Sequence, residues 1–308
     1  MSQTKTTLEA TFKSQDTEEW LDIHFTRPLG LWWAKFFNYF GVHPNVVTIL
    51  SIILGMAAGV MFYYPDMTHT VFGIILLVWA NLYDSADGQL ARMTGKKTLL
   101  GRVLDGFAGD AWFFTIYFCI CLRLTPEWGV AIWAIAALSG FVFHASQCQL
   151  ADYYRNIHLY FLKGRQGSEL DSYAKVRSDY HALSWRKDWF HKTYLYFYGN
   201  YTRAQERQTP MFQRFYAAVR KRFGDNLPQA LRDDFRRGSL PLMKYANILT
   251  FNTRAIVLYV VLLVGQPWLY FVFEITVMTI IYLYMRSRHE RLCFKLFKRL
   301  NQYEPEAA

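Results

Sequence analysis

Six apolar runs, each near the ~20 residues that a bilayer requires, leave this chain little choice of fold. They fall at about 45–64, 70–90, 99–122, 128–150, 245–264 and 268–285. A hydrocarbon interior offers no partner to a free N–H or C=O, so runs of this kind satisfy their own backbone as helices. The expected fold is an all-α integral membrane protein with six transmembrane helices. Hydrophobic residues make up 53% of the 308, yet mean hydropathy is near zero, because the remainder is strongly basic.

The formal charge of +10 suits either nucleic acid or an anionic membrane surface. With these apolar runs the anionic lipid membrane is the expected partner, and no nucleic-acid motif occurs. Basic residues set the orientation. The 65–69 and 265–267 connections carry none, and 123–127 carries only Arg123. On the other side lie Arg92, Lys96, Lys97, Arg102, the 151–244 segment and the tail from Arg286. Both termini and the turn after Arg92 are thus expected in the cytoplasm, with a bacterial inner membrane as the favoured location.

Residues 1–17 read as a disordered N-terminus without the apolar core of a cleavable signal peptide. Residues 18–42 read as an interfacial amphipathic helix, with Leu21, Phe25, Leu29, Trp32, Trp33, Phe36, Phe37 and Phe40 at helical spacing. Pro28 is expected to split or kink it. Residues 43–308 form the six-helix domain, interrupted at 151–243 by a cytoplasmic helical insertion with 17 Lys+Arg against 9 Asp+Glu and many aromatics. Two readings of the insertion stay open: helices leaning on anionic lipid, or an ordinary solvated insertion. The basic stretch after Arg286 reads as a further amphipathic helix lying at the surface. Cys119, Cys121, Cys148 and Cys293 lie in or beside apolar segments without disulfide or zinc spacing, and read as buried thiols.

The chemistry concentrates at DSADGQLARMTGKKTLLGRVLDGFAGD, residues 84–110. Asp84 and Asp87 are three apart and share a helix face, while Asp105 arrives from the next helix across a polar turn. Carboxylates converging from two helices, with no Cys or His among them, suit a hard divalent cation such as Mg²⁺ or Mn²⁺. Acidic groups at the ends of membrane helices are costly and mark functional sites.

This spacing resembles the signature of the CDP-alcohol phosphatidyltransferases: Asp-x-x-Asp-Gly-x-x-Ala-Arg, about eight residues, then Gly-x-x-x-Asp-x-x-x-Asp. Asp84, Asp87, Gly88, Ala91, Arg92, Gly101 and Asp105 match it. The last position does not: four residues after Asp105 stands Gly109, and Asp110 comes one residue late. The resemblance implies that Asp84, Asp87 and Asp105 ligate two metal ions, with Asp110 as the displaced fourth ligand and base and with Asp105 and Asp110 as the catalytic residues. The alternative is that Asp110 pairs elsewhere and the enzyme lacks its usual base or has lost activity. On a regular helix Asp110 would point roughly 140° away from Asp105. A one-residue π-bulge, tolerated by Gly106 and Gly109, is expected to restore it. Gly88, Ala91, Arg92, Thr94 and Gly101 are the implied CDP-binding residues, although Gly88 and Ala91 equally suit close helix packing. The Pro44-Asn45-x-x-Thr48 entry to the first span is also common in that family.

The resemblance implies a CDP-alcohol donor, a hydroxyl acceptor, release of CMP and a homodimer. Arg254, about 15 Å inside the fifth span by helix rise, needs a partner there. It either pairs with Glu274 on the sixth span or, with Asn252, binds an anionic acceptor. His144, Gln147, Asp152 and Arg155, at the cytoplasmic end of the fourth span, form a second candidate acceptor cluster, in which His144 alone also suits an ordinary helix histidine. A phosphorylated acceptor such as inositol phosphate or glycerol phosphate, with CDP-diacylglycerol as donor, ranks first. A CDP-ethanolamine or CDP-choline transferase acting on diacylglycerol or a ceramide ranks second. An inactive relative and a divalent-cation transporter rank below these.

Overall fold

The computed structural model describes residues 14–304, and no strand occurs among them. Thirteen α-helices follow in order: α1 Arg27–Tyr39, α2 Pro44–Met61, α3 Met67–Thr94, α4 Leu99–Trp128, α5 Ala131–Ala137, α6 Ala145–Lys163, α7 Tyr173–Ala182, α8 Trp185–Gln208, α9 Pro210–Phe223, α10 Gln229–Ile248, α11 Phe251–Leu263, α12 Trp268–Phe273 and α13 Thr279–Arg299. Wider π-helical turns stand at Asp22–Thr26, Leu138–His144 and Glu274–Met278. The first of them immediately precedes the helix that carries Pro28 in its opening turn.

Local chemistry sets the helix ends. His43 caps α2 by accepting from the Asn45 amide at 3.2 Å, with Pro44 at the first helical position, where its missing N–H costs nothing. Asp66 caps α3 through the His69 amide at 3.1 Å. Gly95, at φ +70°, closes α3 in a left-handed conformation that glycine adopts without a Cβ clash. Thr98 then caps α4 through the Gly101 amide at 2.9 Å.

Five helical stretches are long and apolar enough to cross a membrane: Pro44–Met61, Leu99–Trp128, Ala131–Lys163, Gln229–Leu263 and Trp268–Gln302. The chain is therefore an all-α integral membrane protein. The stretch expected as the second span lies on α3, which is 28 residues long but is not one of the five. Its second half carries Asn81, Asp84, Ser85, Asp87 and Gln89, which dilute its apolar character.

The chain divides into two compact units. The first takes residues up to His144 and Asn252–Thr276. Within it α2 packs on both α3 and α4, and α1 lies on α3. Close approach of α2 and α4 follows from small residues at four-residue spacing on α2. A Cβ on Gly55 would lie 2.1 Å from the Trp112 ring, and one on Gly59 would lie 2.9 Å from the Ile116 amide. The Trp112 indole donates to the Ser51 carbonyl at 3.1 Å. Ala34, Phe37, Val47, Ala86 and Leu90 form a buried cluster that ties α1 and α2 to the polar half of α3. α1 is two-faced: Leu31, Ala34 and Phe37 are buried, whereas Trp32, Phe36 and Phe40 are exposed.

The second unit takes Ala145–Phe251 and Val277–Ala308. It is built on α6, α10 and α13, with α9 against α13. Phe161, Phe215 and Phe235 stack in its core. The stretch after Arg286 was expected as a surface helix, but it supplies core residues here. His289, Cys293 and Leu296 are buried, and Glu290 accepts from the Met211 and Phe212 amides at 2.7 and 3.3 Å. Arg288, Arg291, Lys295 and Lys298 are exposed, so hydropathy alone understated the burial of the residues between them. Cys119, Cys121 and Cys293 are buried free thiols, and Cys148 is half-buried.

Candidate metal centre

Asp84 and Asp87 lie on α3, and Asp105 on the second turn of α4. One carboxylate oxygen from each falls within 4.8 Å of the others. Asp87 is 4% exposed, and its Oδ2 is buried with no hydrogen-bond partner. A lone carboxylate oxygen away from water is expensive, and a cation in the cluster would satisfy it. The donor set is all oxygen, as Mg²⁺ or Mn²⁺ prefers. The residues therefore fit a hard divalent ion.

The rest of the motif surrounds this cluster. Arg92 folds back over Gly88, whose Cβ position lies 3.6 Å from the guanidinium, and its charge acts on both Asp87 and Asp105. Ala91 shares the same stretch of α3, and the Thr94 hydroxyl donates to the Leu90 carbonyl at 2.8 Å. Gly101 is required by packing: a Cβ there would stand 2.8 Å from Asn45 Oδ1. Asn45 also accepts from the Thr98 hydroxyl at 3.3 Å, and Thr48, one turn further along α2, lies against Asp87. The Pro-Asn-x-x-Thr entry thus supports the acidic motif from a third helix. Its spacing was visible in the sequence, but its contact was not.

Asp110 corrects an expectation. α4 is α-helical from Leu99 to Trp128 without a π turn, so five residues after Asp105 the side chain has rotated out of the cluster. Asp110 is not among the three converging carboxylates and lies instead within Coulombic reach of His144. Gly109 and Gly106 have open space where a Cβ would be. Nothing in the packing forces the wider turn that these glycines would tolerate.

The candidate acceptor residues engage other side chains of their own units. Arg254 and Glu274 form a fully buried ion pair, which is the structural alternative of the two readings. Glu274 also accepts from Tyr117, from Ser139 at 2.9 Å and from Tyr270 at 2.9 Å. His144 Nδ1 lies 3.0 Å from Glu274 and 3.1 Å from Arg254. Arg254 and His144 thus share one hydrogen-bonded network around Glu274. Two of the three π turns end or begin at its members His144 and Glu274. Asn252 donates to Glu19 at 2.6 Å and Asp22 at 3.0 Å, anchoring the segment before α1. Gln147 and Arg155 belong to the second unit. There Gln147 donates to Thr279 at 3.1 Å, and Arg155 to Asn247 at 2.6 Å.

Five helical stretches of membrane-spanning length, with three carboxylates gathered between α3 and α4 that could hold a cation, describe an all-α integral membrane protein with an acidic cluster. Residues 41–154 match the family model described as CDP-alcohol phosphatidyltransferase. The chain is 31% identical over 99 residues to a bifunctional IPC transferase and DIPP synthase of Aquifex aeolicus, covering 32% of this chain and 22% of that protein. It is 32% identical over 109 residues to an archaetidylinositol phosphate synthase of Pyrococcus horikoshii, covering 35% of this chain and 55% of that protein. The match thus spans about half or less of the length of these curated relatives.

Proposed function

We propose that this protein is a membrane phosphotransferase of phospholipid biosynthesis. It moves a substituted phosphate from a CDP-linked alcohol, with CDP-diacylglycerol ranked first, to an acceptor hydroxyl, and CMP leaves. The observation that carries this reading is the cluster of Asp84, Asp87 and Asp105 with its unpartnered Asp87 oxygen, set within the matched domain.

In this reading Asp84, Asp87 and Asp105 hold Mg²⁺ or Mn²⁺, two ions by family analogy. Bound there, the metal supplies positive charge to the phosphoanhydride and the departing phosphate. Arg92 adds a guanidinium fork suited to phosphate oxygens. Gly88, Ala91, Thr94 and Gly101 line the nucleotide's approach. Asp105 is the exposed member of the cluster and takes the proton of the attacking hydroxyl. The hydroxyl oxygen bonds to the β-phosphorus as the bond to CMP breaks.

The name of the Pyrococcus relative supports a phosphorylated inositol as acceptor, and glycerol phosphate shares its chemistry. We further propose α3 as a sixth span, α1 as an interfacial helix, a cytoplasmic site in a bacterial inner membrane, and a homodimer. Radiolabelled CMP release with CDP-diacylglycerol and a panel of acceptors tests the assignment. Release with inositol phosphate or glycerol phosphate, abolished in Asp87→Asn, is expected. Release only from CDP-choline or CDP-ethanolamine with diacylglycerol would replace the donor and acceptor named here.

A second reading rests on Gly109, which stands where the family carries its fourth aspartate. The domain would then bind metal and nucleotide without turnover, and metal-dependent CDP binding with no CMP release would favour it.

A further inference from the structure

The segment before α1 places a charge pair beside the metal centre that the family signature does not include. Arg27 donates to Glu18 through a fork, Nε at 3.3 Å and Nη2 at 3.1 and 3.2 Å. The Glu18 side chain is 8% exposed and that of Arg27 22%. The backbone here is fixed against the acidic motif. Gln89 donates to the Arg27 carbonyl at 3.1 Å, and a Cβ on Gly30 would lie 2.6 Å from Ser85 Oγ. Asn252 holds Glu19 and Asp22 from the other side.

The fork of Arg27, held beside the acidic motif, is therefore filled by a nearly buried carboxylate of its own chain. We propose that Glu18 occupies a phosphate-binding subsite on Arg27 beside the acidic motif, and that a substrate phosphate displaces its carboxylate. The fork that Arg27 offers Glu18 fits a phosphate equally well, and a phosphate brings more negative charge than the carboxylate it replaces. Displacement frees Glu18 and with it the turn that leads into α1, so the segment acts as a strap closed over its own anion site. This inference rests on the phosphotransferase reading for the identity of the anion. The phosphate could belong to the donor's phosphoanhydride or to a phosphorylated acceptor.

The test is binding to the full chain in lipid nanodiscs at saturating Mg²⁺, which needs no turnover. Inorganic pyrophosphate and glycerol 3-phosphate are titrated by calorimetry into wild type, Glu18→Gln, Arg27→Gln and Arg27→Lys. Glu18→Gln, which removes the competitor, is expected to tighten binding about tenfold. Arg27→Gln is expected to weaken it about tenfold, a change worth ~1.4 kcal/mol, and Arg27→Lys to fall between because it lacks the fork. A response to pyrophosphate alone assigns the subsite to the donor, and a response to glycerol 3-phosphate alone assigns it to the acceptor. Amide exchange across residues 14–22 of the wild-type chain gives an independent readout and should rise when the ligand saturates. Unchanged affinity in Glu18→Gln and Arg27→Gln, or unchanged exchange at saturation, overturns the proposal. Absence of CMP release with the binding effects intact would instead remove the transferase reading and leave the subsite.

Discussion

Arg254 and Glu274 form an ion pair from which water is wholly excluded, each side chain 0% exposed. Tyr117, Ser139, His144 and Tyr270 supply the further hydrogen bonds of the carboxylate. A pair so enclosed is held together by mutual need, since either charge left alone would be stranded in a low-dielectric interior. Glu274→Ala is therefore expected to destabilise the fold by about 3–5 kcal/mol. Replacing both partners, as Arg254→Met with Glu274→Leu, should cost clearly less than the two single changes added together. Unfolding of the purified protein in mixed micelles, followed by tryptophan fluorescence, gives the double-mutant cycle. Additive losses would show that the two charges do not depend on each other.

Metal binding should follow the three converging carboxylates and ignore the fourth. Mn²⁺ titration monitored by electron paramagnetic resonance is expected to show binding in wild type that Asp87→Asn abolishes and Asp84→Asn or Asp105→Asn weakens at least tenfold. Asp110→Asn should bind as wild type does. Chelation should remove the ion reversibly, with Mg²⁺ competing for the same site. An equal loss in Asp110→Asn would place that carboxylate in the cluster after all.

Gly109→Asp should restore the family pattern at little structural cost, because nothing lies within 4 Å of the added Cβ. The new carboxylate would stand one helical turn after Asp105, on its own face. General-base assistance is worth about 10²–10⁴ in rate. If Asp105 serves alone, an increase in CMP release of at least tenfold is expected, with the pH profile reshaped. No gain in rate would show that proton removal does not limit the native enzyme.

Gly101→Ala should separate α4 from α2 at the metal centre. Its Cβ would lie 2.8 Å from Asn45 Oδ1, and overpacking of this kind costs about 1–3 kcal/mol. The loss should be partly relieved in the double variant with Asn45→Ala, which removes the obstructing group. Thermal unfolding of the four proteins in one detergent measures it, and equal midpoints for single and double variants would point to strain elsewhere.

Much of this was readable before any fold was known, because it is written in local spacing. The three-residue separation of Asp84 and Asp87, with Asp105 beyond a capped turn, already implied convergence. The lengths of the apolar runs implied membrane helices. The reach of those helices was less legible. Those at Ala131–Lys163, Gln229–Leu263 and Trp268–Gln302 run well past the expected spans, since a hydropathy window ends where polarity begins while a helix continues. The bulge expected after Asp105 is absent, and π turns occur at Asp22–Thr26, Leu138–His144 and Glu274–Met278 instead. Glycine permits such a turn but does not place it.

By itself, then, the order of residues determined which side chains share a face within one helix, because 100° of rotation per residue is a property of every α-helix. It therefore contained the acidic motif, the helix caps and the amphipathic face of α1. Only the tertiary structure decided that Asp110 stands outside the carboxylate cluster, that Arg254 spends its charge on Glu274, and that Asn45, Thr48 and Arg27 stand beside the acidic motif. Those outcomes depend on how helices distant in sequence are rotated and staggered against each other. That arrangement is set by side-chain volume and close packing at contacts such as Gly59 on Ile116 and Gly101 on Asn45, and no local periodicity records it.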